Sequence, residues 1–220
     1  MGAGLRVAGQ DGLEKNLKPV NVNVYSGMSR NQIMDDLLSR SEQRAVILDA
    51  NGNVVYVFDG HGGTRPGVTI SEEALNVDGG EIIYSHVGSE AFGGTASPSA
   101  VGHLIDSNLK SMTVVANEGN YNFTKTRDNM SEAKAYISTI KSLMKRKNYG
   151  VTYKSTGKVV KNLGLYGKVY HEQVDSLKLN SNIKGSDLHS AARQKAVERM
   201  GEWWNNKLSN KGIRVTTTKK

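Results

Sequence analysis

Residues 79–126, GGEIIYSHVGSEAFGGTASPSAVGHLIDSNLKSMTVVANEGNYNFTKT, carry the reading of the fold. Positions 81–86 are apolar and β-prone, and the loop that follows to Ala96 is small and polar. Ser97-Pro98-Ser99 is a helix start, because a hydroxyl can accept the first free amides and proline fits the first turn. Val101, Leu104, Ile105 and Leu109 then recur at helical spacing. Residues 112–116 and 120–124 flank Asn117-Glu118-Gly119, whose glycine suits the positive φ of a tight hairpin. The expected order is strand, glycine-rich loop, helix and closing hairpin. His86 then stands at a strand's end facing a helix N-terminus, where α/β proteins place ligands.

Upstream, the pattern extends the same architecture. Ser29 caps an expected helix over 30–40, with Ile33, Met34, Leu37 and Leu38 on one face and Asp35 and Asp36 on the other, a solvated face. Residues 45–50 and 54–58 form a hairpin about Asn51-Gly52, a strong two-residue turn signal. The run Asp59-Gly60-His61-Gly62-Gly63 lacks the Lys-Ser/Thr of a phosphate-binding loop and reads as a connector. Residues 20–25 alternate as a short strand, and Ser71-Glu72-Glu73 starts a short helix. Residues 1–18 show no hydrophobic period and are expected to form a mobile or partner-bound arm. No Gly-x-Ser-x-Gly hydrolase signature occurs.

Composition removes several classes of function. Cysteine is absent, so there are no disulfides, thiolate metal ligands or thiol nucleophiles. The longest apolar run, 54–58, is far short of a membrane span, and no signal peptide is expected at the glycine-broken N-terminus. Charge is segregated. Residues 1–128 hold 10 Lys+Arg against 15 Asp+Glu, net −5, whereas residues 129–220 hold 19 against 6, net +13.

The segment from Glu42 to Lys125 resembles the JAB/MPN (JAMM-type) metallo-isopeptidases. It is closest to the RadC-like branch found in phage head-morphogenesis (MuF-type) proteins and polymorphic toxins. Those domains carry an upstream Glu, a strand ending in His-Asn-His-Pro, a small-residue loop, Pro-Ser-x-x-Asp, a helix and a hairpin. Here Tyr84-Ser85-His86-Val87 stands for the first motif and Pro98-Ser99-Ala100-Val101-Gly102 for the second. The resemblance implies a Zn²⁺ held by two His and one Asp, with an open position for the attacking water. Of that set only His86 is present, since Tyr84 and Gly102 replace its fellows. Ser99 matches the oxyanion-holding serine and Glu42 the general base. His61, His103 and Asp106 are the available substitutes for the missing ligands. Tyr84 lies on the same strand face as His86, so its ring could fill the space of a metal and its first ligand.

Beyond residue 128 the character changes. A helix is expected over 131–147, with Ala133, Ile137, Ile140 and Met144 on one stripe, and 151–160 reads as a hairpin turning at Thr156-Gly157. Lys141, Lys145, Arg146, Lys147, Lys154, Lys158, Lys161 and Lys168 follow one another with no acid between them, interleaved with Tyr149, Tyr153 and Tyr166. Such a run suits a nucleic-acid backbone, through counterion release and base stacking. It also suits an anionic membrane surface, an acidic partner such as the negative half of a second copy, or a solvated basic surface. A long helix from Ser186 to about Leu208 carries Leu188, Ala192, Ala196, Met200, Trp204 and Leu208 at steps of four. Residues 210–212 end it, and the basic tail from Arg214 is expected to be loose.

The sequence therefore predicts an α/β chain: an arm (1–19), an acidic JAB-like mixed sheet flanked by helices (20–128), and a basic, mainly helical region (129–220). The expected function is a non-catalytic interaction protein. Its resemblance implies a phage virion or the host cytoplasm, with phage structural proteins or nucleic acid as partners. No cofactor is expected, and Zn²⁺ only if the ligand set is rewired. That rewired zinc isopeptidase or toxin domain, and a dedicated nucleic-acid-binding protein, are the alternatives.

Overall fold

The structure, a computed structural model, describes residues 4–9, 13–61, 67–86, 96–145 and 149–219. Its strands are β1 (Gly4–Val7), β2 (Arg44–Leu48), β3 (Val54–His61), β4 (Gly67–Ile70), β5 (Glu81–Ser85), β6 (Ser111–Ala116), β7 (Gly119–Lys125), β8 (Tyr149–Thr152), β9 (Val159–Leu163) and β10 (Ile213–Lys219). The helices are α1 (Arg30–Ser39), α2 (Pro98–Asp106), α3 (Ser131–Lys145), α4 (Leu165–Asn180) and α5 (Gly185–Leu208). The protein is α/β, as the pattern predicts. Eight strands form one mixed sheet in the order β1-β4-β3-β2-β5-β6-β7-β10, and β8 pairs with β9 in a separate hairpin.

All five residues of β2 are buried, because its strand is covered on both faces. Ala45 and Ile47 join Tyr84, Val114, Tyr121 and Phe123 in the larger core, with side chains of α2, α3 and α5. Val46 and Leu48 join Val57, Ile83 and Val115 on the opposite face, under Ile33 and Leu37 of α1. Ser29 caps α1 in a full capping box with Gln32. Tyr25 packs beneath α1 and donates its hydroxyl to Asp36 at 2.6 Å. Burial, followed by that carboxylate, pushes the phenol up to about 12. One residue of the expected solvated acidic face is thus bonded to a core tyrosine.

β5, α2 and β6 follow one another in the order predicted for residues 79–126, and the structure shows β5 and β6 to be parallel neighbours joined by α2. Ser97 caps α2 by accepting the Ala100 N–H at 3.1 Å, and Pro98 sits in the first turn. At the far end Lys125 donates to the Ser107 carbonyl at 2.5 Å, placing a cation on the helix C-terminus.

Four elements differ from expectation. Residues 20–25, expected as a short strand, instead hold a 3-10 turn over Val22–Tyr25, because Asn21 caps it by accepting the Asn23 N–H and the turn places Tyr25 in the core under α1. Residues 4–7, read as part of an arm, form β1, parallel to β4. The basic tail is not loose: β10 pairs antiparallel with β7 over seven residues, a distant partner that supplies the order. Nothing in the local pattern predicts α4. Gly167 near its start and its aromatic and β-branched residues lower helix propensity, which burial of Tyr166, Val174 and Leu177 overrides. The chain also crosses the charge step near residue 128, since α5 packs on β7 and β10 while its first turns join α4 and the β8–β9 hairpin in a second core of Val151, Tyr153, Val174, Leu177, Leu188 and Ala192. Among the described residues no helix is long and apolar enough to cross a membrane.

Candidate functional site

Two places carry the residues singled out in the sequence. The first is the end of β5. The pairing of Ala45 with Tyr84 brings Gln43 level with His86 two residues on. His86 is 3% exposed, and its backbone N–H donates to the Val115 carbonyl at 2.8 Å. Tyr84 is fully buried, and its hydroxyl has no partner among the described residues. Burial drives that phenol far above its ordinary pKa, so it stays protonated. Both amide atoms of Gln43 are likewise buried without a partner among the described residues. Gln43 is a member of this polar spot that sequence reasoning missed, because an isolated glutamine before a strand carries no pattern.

The remaining candidates do not gather there as a ligand set. Glu42 is exposed in the bend before β2, and Ser99 is exposed in the first turn of α2. Asp106 is tied to Lys134 of α3 at 2.7 Å. His103 is half-buried on α2, with its imidazole pKa held down by burial and partly restored by Asp106. His61 ends β3, and its side chain lies outside the described residues. Among the described residues, no three His, Asp or Glu side chains form a group able to hold a metal. A neutral buried phenol and a glycine do not supply the two missing anionic or imidazole donors of a zinc site, so the residues present do not fit that group.

The second place is the C-terminal lobe. Lys154, Lys158 and Lys161 are exposed on the β8–β9 hairpin, and Lys141 is exposed near the end of α3. Lys168 is paired with Glu172 at 2.7 Å. Arg146, Lys147 and the side chain of Lys145 lie outside the described residues. The lobe's carboxylates are largely engaged. Glu132 pairs with Arg127, Glu198 with Lys219 and Glu202 with Arg199. Asp175 accepts the N–H groups of Lys154 and Ser155 and the Ser155 hydroxyl, at 2.7, 3.0 and 2.6 Å, and so holds the hairpin turn on α4.

The tyrosines are placed differently from the cations. Tyr153 is 6% exposed, donates to or accepts from His171 Nδ1 at 2.6 Å, and has Lys178 Nζ over its ring at 5.3 Å. Tyr166 is buried in the main core, and Tyr149 is half-buried. The buried rings of Tyr153 and Tyr166 cannot stack on bases, so charge is the main thing this surface presents. No family model, curated protein or solved structure matches this chain. The lobe also holds two residues the sequence reading passed over, His171 and His189, each hydrogen-bonded to a tyrosine. Their spacing of 18 residues has no signature.

Proposed function

We propose that the chain is a non-catalytic interaction protein whose C-terminal lobe lies along a nucleic-acid backbone. One observation carries the reading. Lys141, Lys154, Lys158 and Lys161 are exposed and outside every salt bridge among the described residues, in a lobe whose own carboxylates, Asp187 apart, are engaged in ion pairs or in holding the hairpin turn. Cations left unneutralised gain most from a polyanion, because each phosphate contact releases condensed counterions. The buried end of β5 suits a scaffold role, with Tyr84 occupying the position of a metal ligand in the JAB-like pattern. The resemblance to MuF-type proteins supplies the setting, a head-associated phage protein close to packaged DNA.

Fluorescence anisotropy with a labelled mixed-sequence DNA duplex tests this over a series of salt concentrations. Four phosphate contacts give a log–log salt slope of roughly −3.5. Replacing Lys154, Lys158 and Lys161 by Ala flattens it by about 2.5. Binding that ignores salt, or that survives the triple replacement unchanged, would sink the proposal.

A further inference from the structure

The hairpin, α4 and α5 bring two imidazoles to the cationic face. Tyr153 Oη lies 2.6 Å from His171 Nδ1, and Tyr170 Oη lies 2.6 Å from His189 Nδ1. The Tyr170 ring stands between them, its centroid 5.2 Å from the His171 ring and 6.3 Å from the His189 ring. Each tyrosine engages Nδ1, which fixes the ring plane and leaves Nε2 as the remaining nitrogen for a ligand. We infer that His171 and His189, with Lys158, form a proton-linked phosphate site that takes up protons as a nucleic-acid backbone docks. The inference rests on the nucleic-acid reading above and adds its regulation.

The charged surroundings favour this behaviour. From the hairpin, Tyr153 and Lys158 face His171; from α5, His189 does. On α4 itself, Tyr170 touches His171, Lys168 is neutralised by Glu172, and Asp175 is spent on the hairpin turn. His189 faces Tyr170 of α4. Its nearest charged neighbours along α5 are Asp187 and Arg193, the latter paired with Glu118 at 3.0 Å. Burial first, then Lys158 and His189, hold the His171 imidazole below its ordinary value. A phosphate beside Lys158 cancels that repulsion and attracts the imidazolium directly. The pKa in the complex then exceeds that in the free protein, so affinity rises as pH falls through the window between them.

The test is anisotropy with the same DNA duplex at constant ionic strength, at about pH 8 and about pH 5.5, which bracket an ordinary histidine. A histidine whose pKa rises by about one unit on binding tightens the complex about tenfold. The wild-type chain should therefore tighten by about tenfold or more, and His171→Gln/His189→Gln should bind as the wild type does at about pH 8 but lose most of the gain. Affinity independent of pH, or a gain retained in the double variant, overturns the inference while leaving nucleic-acid binding intact. No binding at either pH overturns both. NMR titration of the wild-type imidazole protons, with and without duplex, checks the same point without any substitution: the His171 midpoint must move upward in the complex.

Discussion

The side-chain oxygen of Asn205 in α5 accepts the backbone N–H of Val215 in β10 at 3.0 Å. β10 is the edge of the eight-stranded sheet. The Thr126 N–H bonds the Gly212 carbonyl at 2.9 Å, so Gly212, Arg214, Thr216 and Thr218 turn their backbone groups toward β7. Ile213, Val215, Thr217 and Lys219 then turn theirs outward. Asn205 thus blocks the centre of an otherwise open strand edge, the feature most prone to pairing with another chain. Replacement of Asn205 by Ala is expected to cost about 1 kcal/mol in stability and to open the edge to self-pairing. Sedimentation velocity should show a concentration-dependent dimer in the variant that Arg214 and Lys219 do not prevent. A monomer at every concentration would refute the blocking role.

Arg30 joins α1 to the sheet. Its Nε and Nη2 reach the two Glu81 carboxylate oxygens at 2.8 and 2.6 Å, and Nη2 also reaches Thr113 Oγ1 at 2.8 Å. Thr113 in turn donates to Glu81 at 2.6 Å and accepts from Asn122 at 2.9 Å. Removing the guanidinium leaves a mostly buried carboxylate with one hydroxyl donor. Arg30→Ala is expected to cost about 1–3 kcal/mol by urea unfolding, whereas Arg40→Ala should cost less than about 1 kcal/mol, because its contact with Asp36 is long and partly exposed.

Much of this could be read from residue order, and the rest could not for identifiable reasons. The Ser29 cap, the Asn51-Gly52 turn, Ser97-Pro98 and the α5 stripe are local signals, and each produced the element it announces. β1, β10 and α4 have no such signals: β1 and β10 depend on β4 and β7, far along the chain, and α4 depends on packing against its neighbours, the hairpin and α5. The same division holds for the candidate sites. That Tyr84 shares a face with His86 follows from period two, and the exposed lysines follow from composition. Gln43 beside Tyr84, Asp175 under the hairpin turn, and the two tyrosine–histidine pairs are tertiary coincidences that no spacing records.

The hairpin turn should be acid-labile. The Ser155 hydroxyl foremost, and then the N–H groups of Ser155 and Lys154, hold the Asp175 carboxyl below its ordinary value. A carboxylate depressed in the folded state contributes stability at pH above its unfolded pKa and loses that contribution as pH falls through the folded value. Thermal melts should show the wild type losing stability below about pH 4. Asp175→Asn should be weaker at neutral pH and flatter across the acid range, and an unchanged slope would remove Asp175 from the account.

The JAB-like alignment can be tested by restoring what it lacks. A Cβ on Gly102 would meet nothing within 4 Å, so an aspartate there is sterically admissible. If the alignment holds, Tyr84→His/Gly102→Asp should gain a stoichiometric Zn²⁺, measured by elemental analysis after dialysis, and lose it when His86 is also replaced by Ala. A double variant that folds and takes up no zinc would argue that the likeness in element order is accidental.

Gly201 decides how α5 meets the edge strand. It is fully inside a 24-residue helix, where alanine ordinarily improves stability by about 1 kcal/mol. Here a Cβ would collide with the Thr217 methyl of β10. Overpacking of this kind costs about 1–3 kcal/mol, so the steric term outweighs propensity and Gly201→Ala is expected to be destabilising. In a Thr217→Ala background the obstructing methyl is gone and only propensity remains. The same Gly201→Ala replacement should then stabilise by up to about 1 kcal/mol. A double-mutant cycle by urea unfolding reads this reversal of sign directly. If Gly201→Ala behaves alike in both backgrounds, the close approach of α5 to β10 at this point is not what places glycine there.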